Sequence, residues 1–378
     1  MTAAMSKITI AIVGAGLIGP RHAMSVETCD DAELLCIVDP CAQARSIADS
    51  FQTVLFASIQ QMLKNGCVPD AAFVCTPNST HVAVAKELLA AGIHVLVEKP
   101  MSTTIEDGHD LLQAANISGK QLLVGHHRRF NPYVVASKQA LLAGSIGRIV
   151  AISGLWATYK PASYFEAPTR WRAEVGNGEE TFYTPAYQHM LKIHRSILGG
   201  VILINMIHEV DVLQYLLGPI IRVHAEQTVS QRTHDVEEGA AILLRFSSGC
   251  VGTFILSDAT PSPHFFESGT GENPIIPKKG RDFYRIFGTQ GTLSVGDMNV
   301  SSYTPGEKSW TEEIKESPIY FGNEIPFDEQ AKHFVRVIKE EEKPRCSGED
   351  GLSALIVCDA IEQALRSNAA VDVQGTAL

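Results

Sequence analysis

Hydrophobic and polar residues follow two different patterns in the two parts of the chain. In the first 125 residues, short apolar runs predict strands, and the stretches between them have the spacing of amphipathic helices. The predicted strands are residues 8–13, 33–38, 71–75, 94–97 and 121–124, and the clearest helices are residues 79–91 and 104–118. Strands that alternate with helices of this length indicate an α/β domain with a parallel, doubly wound sheet over residues 1–125.

The pattern changes after Gly147 to longer runs in which apolar and polar residues alternate. These runs predict strands at residues 148–156, 222–229, 239–246, 250–257, 283–287 and 291–295, with a hairpin turn at 247–249. Residues 260–279 are rich in Pro, Gly and Ser and are interpreted as a surface loop. Helices are predicted at 327–340 and around 354–367. We therefore expect an α+β domain over residues 126–378 with a large, mostly antiparallel open sheet, and its last helices are free to pack against the first domain.

Length and charge limit the possible partners. The 378 residues are enough for two domains of about 100–200 residues each. The formal charge of −11 disfavours a nucleic acid or an anionic membrane, which need a basic surface, and favours a small-molecule partner. No stretch approaches the roughly 20 apolar residues of a membrane-spanning helix, and the apolar run after Lys7 is too short for a signal peptide.

Cysteine spacing indicates a reducing compartment. The eight cysteines include no Cys-x-x-Cys pair, and several of them lie inside apolar runs, where a small hydrophobic side chain fits. We interpret them as reduced core thiols of a cytoplasmic protein, and we expect neither disulfides nor a metal site.

A glycine fingerprint follows the first predicted strand. Gly14, Gly16 and Gly19 form a G-x-G-x-x-G motif, with Leu17 and Ile18 between the last two glycines. Gly14 permits a tight turn, Gly16 lets the backbone approach a pyrophosphate, and Gly19 allows close packing of helix and strand. An ordinary glycine-rich turn is the alternative interpretation. The arrangement of strand, loop and helix favours a Rossmann dinucleotide site to which all five of these residues contribute.

Asp39 ends the second predicted strand, about 20 residues after the fingerprint. A carboxylate at this position accepts hydrogen bonds from the adenosine ribose hydroxyls. The same charge repels a 2′-phosphate, so NAD is favoured over NADP.

Further segments resemble the Gfo/Idh/MocA family, the oxidoreductases related to glucose-fructose oxidoreductase and inositol dehydrogenase. The resemblance covers nearly the whole chain, and it is carried by residues 75–81 (CTPNSTH), 97–100 (VEKP), 125–132 (GHHRRFNP) and 288–293 (GTQGTL). It implies that Thr76, Pro77, Asn78 and His81 border the nicotinamide ribose and that Glu98 lines the cofactor site. It further implies that Lys99 contacts the reacting substrate oxygen, where a lysine of lowered pKa can move a proton. Taken without the resemblance, the more frequent interpretation of Lys99 is a surface lysine ahead of a capping box at Thr103 and Glu106.

A second family signature covers residues 199–211 (GGVILINMIHEVD) and implies a histidine facing the substrate from a helix. Asn205, His208 and Asp211 are spaced at i, i+3 and i+6, so successive members are neighbours on one side of that helix. We predict His208 as an acid/base partner of Lys99, Asn205 as a substrate ligand, and Asp211 as a residue of the substrate site that can orient the histidine. The alternatives are a structural histidine and a His-x-x-Asp metal site, the latter without a third ligand at a recognisable spacing.

The chain departs from the commonest family pattern in two places. That pattern has an aspartate four residues before the histidine, whereas position 204 is Ile. The polar side chain one position later is the amide of Asn205, which cannot take a proton near neutral pH. In addition, residues 176–198 occupy a gap that the family crosses in a few residues. This segment is either a genuine insertion, such as a substrate loop, or a translated, unspliced intron.

The combined motifs predict an NAD(H)-dependent oxidoreductase that moves hydride between nicotinamide and a hydroxyl/carbonyl pair of a sugar, polyol or cyclitol-like substrate. His127, Arg128, Tyr159, Trp171 and Arg172 are expected to contact that polar substrate. Two other functions remain open, a non-catalytic dinucleotide-binding regulator and a glycoside hydrolase that uses NAD transiently. We expect a homodimer or homotetramer, because relatives pair subunits through the open sheet.

Overall fold

The computed structural model describes residues 6–166, 170–173, 199–304, 306 and 308–374. Its contacts divide the chain into two compact units, Met1–Phe130 with Glu324–Leu352, and Asn131–Asn323 with Ser353–Leu378. The boundary after residue 125 stays a prediction about where the folding domains meet. The segment 176–198, with its two alternative origins, lies outside the described residues.

The first unit contains a six-stranded parallel sheet in the order β3-β2-β1-β4-β5-β6. Its strands are β1 (Ile8–Val13), β2 (Ala32–Val38), β3 (Val54–Phe56), β4 (Ala71–Val74), β5 (His94–Val97) and β6 (Leu122–Val124). The helices are α1 (Gly19–Glu27), α2 (Ala44–Ser50), α3 (Ile59–Lys64), α4 (His81–Ala90), α5 (Ile105–Ser118) and, later in the chain, α9 (Pro326–Ile338). The strand order reverses between β1 and β4, and in open α/β sheets this switch point is where ligands bind.

The core of this unit is built on the fully buried residues of the central strands. Ile10 and Ile12 of β1 and Phe73 of β4 are 0% exposed. Phe334 of α9 stacks on Phe73 with 5.6 Å between ring centroids. Near-continuous apolar strands are expected in a parallel sheet with helices on its faces, which explains why the short apolar runs located these strands correctly.

The second unit contains a nine-stranded sheet in the order β14-β13-β12-β11-β7-β10-β9-β8-β15. Only the pair β7 and β10 is parallel. The strands are β7 (Ile149–Ala157), β8 (Ile220–Gln227), β9 (Gly239–Phe246), β10 (Val251–Ser257), β11 (Tyr284–Gly288), β12 (Gly291–Val295), β13 (Asn299–Ser302), β14 (Lys315–Pro318) and β15 (Val371–Asp372). The described helices are α6 (Pro132–Leu142), α7 (Ile207–Leu217), α8 (Phe266–Thr270) and α10 (Gly348–Ser367), the last of which begins in the preceding unit. The fold class predicted from sequence is confirmed.

Several local predictions need correction. The loop predicted at 260–279 contains the short helix α8, and α10 begins at Gly348, six residues before the predicted start. The cap of α5 is Thr104 instead of Thr103: its hydroxyl accepts from the Asp107 backbone N–H at 3.1 Å. The edge strands β3, β14 and β15 and the strand β13 beside β14 were not predicted, because they are short and lack a clear period.

Over the described ranges, no helix is long and apolar enough to cross a bilayer. No group of three or more His, Cys, Asp and Glu side chains comes together there as a possible metal site. All eight cysteines lie in these ranges, and none of them is joined in a disulfide.

Candidate active site

The glycine loop joins β1 to α1 at the switch point of the parallel sheet. Gly14 has φ +98°, and a Cβ there would lie 2.6 Å from the Cys75 carbonyl oxygen. A Cβ on Gly19 would lie 2.1 Å from the Gly14 carbonyl oxygen, whereas one on Gly16 would meet nothing within 4 Å. The first and last glycines are therefore required by the protein's own packing, while the space beside Gly16 is open.

Helix α1 begins next to this open space. Its N-cap residue, Ile18, makes no side-chain capping bond. Pro20 has no N–H, and the Arg21 and His22 N–H groups donate to the Ile18 carbonyl at 3.1 Å, so the first-turn donor that remains available to an anion is the Gly19 N–H. Leu17 is 93% exposed. The Asp39 carboxylate at the end of β2 accepts from the Ala15 N–H and from the Cys41 N–H, each at 2.7 Å. Asp39 thus fixes the glycine loop, and each carboxylate oxygen keeps a lone pair for a further donor.

The loop after β4 places Thr76, Pro77 and Asn78 at the neighbouring strand end, where Asn78 starts a 3₁₀ turn. His81, the first residue of α4, is 1% exposed. Its Nδ1 lies 2.8 Å from the Pro100 carbonyl oxygen, and its Nε2 lies 2.8 Å from the Thr76 carbonyl oxygen. Burial lowers the pKa of His81, although both carbonyl contacts favour the charged form. Through its two ring nitrogens, His81 connects the loop after β4 to the loop after β5.

Glu98 and Lys99 follow β5, and the Lys99–Pro100 peptide bond is cis. Glu98 is 8% exposed, and its Oε1 lies 2.7 Å from Nε2 of His22 on α1. Burial by itself raises the pKa of Glu98, but the hydrogen bond and charge of His22, together with the charges of His127 and Lys99, outweigh it and lower the pKa to about 2. The other carboxylate oxygen accepts from the Lys99 N–H at 3.2 Å. Glu98 therefore connects the nucleotide-binding helix to the backbone of Lys99.

Two predicted substrate residues lie in the 3₁₀ turn after β6. The His127 ring stacks on Phe327 with 4.1 Å between centroids and 17° between planes. Arg128 is 3% exposed. The chain turns here because the His126 N–H donates to the Val124 carbonyl at 2.8 Å.

In the second unit, Asn205 and His208 lie where a helix changes type. Residues Ile202–Met206 form a π-helical turn that leads directly into α7. Asn205 and His208 are 9% and 7% exposed, and Asp211 is fully buried. Wide turns of this kind are frequent at functional sites. The burial of Asp211 is compatible with the predicted role behind His208, and not with direct contact to a substrate.

The remaining predicted residues follow β7. Tyr159 is 57% exposed. The Arg172 guanidinium lies 4.0 Å from the centroid of the Tyr164 ring and donates to the Tyr164 carbonyl at 3.3 Å. The 3₁₀ turn Arg170–Ala173 includes Trp171, whose side chain lies outside the described part of the structure.

Sequence comparison defines the family. Residues 8–126 match the NAD-binding Rossmann fold of the GFO_IDH_MocA oxidoreductase family, and residues 192–373 match the C-terminal alpha/beta domain of the same family. The chain belongs to this family. The oxidoreductase resemblance inferred from the motifs is therefore confirmed, and the first unit carries the family's NAD-binding domain.

Relatives match at low identity over nearly full length. The uncharacterized oxidoreductase YrbE of Bacillus subtilis is 24% identical over 390 residues, covering 98% of each chain. Inositol 2-dehydrogenase of Rhizobium meliloti is 24% identical and covers 93% of this chain and 95% of its own. The crystal structure of the WlbA dehydrogenase from Bordetella pertussis, in complex with NADH and UDP-GlcNAcA, has a TM-score of 0.74 at 24% identity over 98% and 99% of the two chains. The described part of the chain thus shares its fold with this structure.

The residues at the switch point fit NAD. An open space beside Gly16, an uncapped helix N-terminus and a carboxylate at the end of β2 are the features that a dinucleotide requires. Gly14, Gly16, Leu17, Ile18 and Gly19 would surround the pyrophosphate, and Asp39 would hold the adenosine ribose.

Sequence reasoning missed Lys160, the residue after Tyr159. Its ammonium group is 2.6 Å from Oδ1 of Asn205, and the residue is 9% exposed. Neighbouring residues of an extended chain point to opposite sides, so the exposure of Tyr159 places Lys160 on the buried side. This parity is visible only once the exposure of Tyr159 is known, because the sequence alone predicts that Tyr159 contacts the substrate.

Proposed function

We propose that this protein is an NAD(H)-dependent dehydrogenase that transfers hydride between nicotinamide and a hydroxyl/carbonyl pair of a sugar, polyol or cyclitol-like substrate. The observation that carries the proposal is the position of Lys99. It lies at the carboxyl end of β5, one strand from the loop after β4 and two strands from the glycine loop. An amine at this edge of the sheet can contact a substrate oxygen beside a dinucleotide.

The chemistry divides between the cofactor and the side chains. NAD, when bound, supplies the hydride acceptor or donor. Lys99 takes the hydroxyl proton as the alcohol is oxidised, or donates a proton to the oxygen in the reverse direction. Glu98 fixes the Lys99 backbone, and His81 braces the surrounding loops. Thr76, Pro77 and Asn78 border the nicotinamide ribose in this proposal.

The second unit supplies the remaining polar groups in this scheme. His208 exchanges the proton with Lys99 or with solvent, and Asp211 orients its ring from behind. Asn205 binds a substrate oxygen. The other substrate contacts proposed are His127, Arg128, Tyr159, Trp171 and Arg172, whose side chains suit a hydroxyl-rich ligand.

Preference for NAD over NADP rests on Asp39. Its carboxylate already accepts two backbone N–H groups, so its charge is fixed at the rim of the adenosine site. A 2′-phosphate placed there would be repelled. An Asp39→Asn variant keeps an acceptor oxygen and removes the charge, so we expect the ratio of kcat/KM for NAD to that for NADP to fall at least about tenfold, which is ~1.4 kcal/mol.

A homo-oligomer formed through the open sheet is also proposed. Leu243 of β9, Val251 and Ile255 of β10, and Phe287 of β11 are 39–54% exposed. Together they give the outer face of the sheet an apolar patch that a monomer would leave in water. The free thiols and the acidic surface fit a cytoplasmic protein with a small-molecule substrate.

The deciding experiment is a panel of polyols, cyclitols and sugars assayed with NAD by NADH absorbance, using wild type, Lys99→Ala and Lys120→Ala. Lys120 is a partly exposed lysine that precedes β6 and serves as the matched control. We expect Lys99→Ala to lose about 10²–10⁴-fold in kcat, while Lys120→Ala stays at wild type. Equal turnover by wild type and Lys99→Ala would show that the catalytic assignment is wrong. Product formation without net NADH would instead indicate a glycoside hydrolase that uses NAD transiently. Dinucleotide binding without any turnover would indicate a non-catalytic regulator.

A further inference from the structure

Lys160 lies among polar side chains of the second unit, where the chain continues beyond the ends of β7 and β10. Beyond β7 and β10 the two strands stay paired, because the Lys160 N–H donates to the Asp258 carbonyl at 2.9 Å. The Lys160 ammonium lies 3.5 Å from the Asp258 carboxylate and 4.5 Å from the centroid of the Tyr164 ring. Arg232 also binds Asp258, at 2.6 Å, and donates to the Lys160 carbonyl at 2.9 Å. These contacts hold the Lys160 side chain in one place.

The contact with Asn205 has a chemical consequence for the amide. A lysine ammonium has three donors and no acceptor, so it can face only the amide oxygen. The distance of 2.6 Å from Nζ to Oδ1 is that of a charge-assisted hydrogen bond. With its oxygen bound, Asn205 can offer only its two Nδ2–H donors elsewhere. Among the described residues no protein group accepts from Nδ2, and Asn205 keeps 9% of its surface exposed.

We propose that Lys160 is a positioning residue that sets the polarity of Asn205, so that the substrate site presents N–H donors beside His208 and selects a substrate oxygen that accepts. The proposal rests on the function proposed above, because it takes Asn205 to be a substrate ligand. It names the substrate class more closely: the group bound at Asn205 is a hydroxyl, carbonyl or carboxylate oxygen. An ammonium substituent at that position, as in an aminocyclitol or amino sugar, would meet donors and a second cation, and is disfavoured.

The same arrangement depends on pH. Burial lowers the pKa of Lys160 to about 8, against the opposing effect of Asp258 and Glu267, while the nearby Arg172 adds to the lowering. The other groups around it are Arg232, which shares Asp258, and the Tyr164 ring. Once deprotonated, the amine can accept from Nδ2, so the amide is free to turn. Substrate selection should therefore weaken as the pH rises through about 8.

The kinetic test compares Lys160→Met, Lys160→Arg and a control, Lys138→Met. Lys138 donates to the Tyr215 carbonyl at 2.6 Å, so it contacts the same helix as His208 but near its far end. We expect Lys160→Met to raise the substrate KM about tenfold or more, with kcat changed less than about threefold, and to lose the alkaline limb of kcat/KM near pH 8. Lys160→Arg should retain a low KM and shift that limb to higher pH, since arginine stays charged. The NADH Kd should stay unchanged in all three variants.

A second measurement is independent of turnover. The side-chain amide resonance of Asn205, assigned by its absence in Asn205→Asp, should titrate in wild type with a midpoint near pH 8 and should not titrate in Lys160→Met. An Asn205 resonance that is insensitive to pH, or a Lys160→Met protein with wild-type KM and pH profile, would overturn the proposal. A Lys160→Met protein that loses both kcat and melting temperature, while its kcat/KM profile keeps the alkaline limb, would also overturn the proposal, because it would show a structural role for Lys160. If wild type oxidises nothing in the panel, the proposed function fails, while the resonance still decides the role of Lys160.

Discussion

The Glu98 carboxylate is hydrogen-bonded to the His22 ring, with 2.7 Å between Oε1 and Nε2. His22 is 1% exposed, so the pair lies in the interior of the first unit. It ties the helix that follows the glycine loop to the residue that precedes Lys99. Two segments far apart in sequence thereby become one support for a dinucleotide site.

Removing the His22 side chain should lower the free energy of unfolding of the first unit. His22→Ala leaves a buried carboxylate without its partner, and the loss expected for such a change is about 3–5 kcal/mol in the free energy of unfolding. Glu98→Gln keeps an acceptor for the histidine and should cost less, about 1–3 kcal/mol. Urea unfolding monitored by circular dichroism measures both values. Equal and small losses would show that the pair does not stabilise the unit.

The same pair makes a prediction about acid. The pKa of Glu98 is lowered to about 2 in the folded chain from an ordinary value of 4.5. A carboxylate of lowered pKa stabilises the fold above its unfolded pKa, and this contribution is lost as pH falls through the folded pKa. Wild type should therefore lose this stability between about pH 4.5 and pH 2. Glu98→Gln should show a shallower loss over that window in acid titrations of the unfolding free energy.

The glycine loop allows folding and binding to be separated. A Cβ on Gly16 meets no protein atom within 4 Å, whereas a Cβ on Gly19 would lie 2.1 Å from the Gly14 carbonyl oxygen. Gly16→Ala should thus keep the wild-type melting temperature and weaken NADH binding at least about tenfold, because the methyl group occupies the space for the pyrophosphate. Gly19→Ala should lower the melting temperature as well. Thermal unfolding and NADH fluorescence titration check the two effects, and wild-type affinity in Gly16→Ala would contradict the assignment.

Two neighbouring carboxyl groups in the second unit, the buried Glu362 and the partly exposed Glu237, predict a loss of stability as the pH rises. Burial raises the pKa of Glu237 to about 7, and burial together with the charge of Glu237 raises that of Glu362 to about 8. Acids of raised pKa stabilise the fold when protonated, so stability is lost as pH rises through about 7–8. Glu237 also accepts from the Ile202 N–H at 2.9 Å, at the start of the π-helical turn that carries Asn205.

Glu237→Gln keeps an acceptor for Ile202 without the charge. We expect the melting temperature of wild type to fall between about pH 4.5 and pH 8, the unfolded and folded pKa values of these groups, by roughly 2–4 °C for each ~1 kcal/mol lost, and the variant to fall less. Glu316→Gln on the exposed strand β14 is the matched control and should follow wild type. A variant as steep as wild type would mean that Glu237 is charged throughout this range.

The parts predicted correctly from the sequence are those set by local chemistry. The central strands β1, β4 and β5 are short apolar runs bounded by turns, and the glycines at 14, 16 and 19 have the spacing that is typical of a dinucleotide-binding loop. The contacts that connect segments were not predictable in this way. The His22–Glu98 pair joins positions 76 residues apart, and the Lys160–Asn205 contact joins positions 45 apart. Both depend on the sheet order, which no local pattern encodes.

The strongest test of the sequence departure at residues 176–198 concerns the described residues on either side of it. The Gly200 N–H donates to the Arg172 carbonyl at 3.1 Å, so the chain on the two sides of the segment is already adjacent. A short linker can span this distance, because each residue extends up to about 3.5 Å. Replacing residues 174–198 with two glycines should therefore leave a folded protein whose melting temperature and NADH affinity are close to those of wild type.

Activity on the substrate then separates the two origins of the segment. If the segment is an unspliced intron, the shortened protein should equal or exceed wild type in kcat/KM, and mature transcripts should lack these codons. If it is a genuine substrate loop, transcripts should contain the codons and the deletion should raise KM while leaving NADH affinity unchanged, because the dinucleotide residues all lie in the first unit. A deletion variant that fails to fold would contradict both outcomes, and it would show that the segment contributes to the core of the second unit instead of being inserted between Arg172 and Gly200.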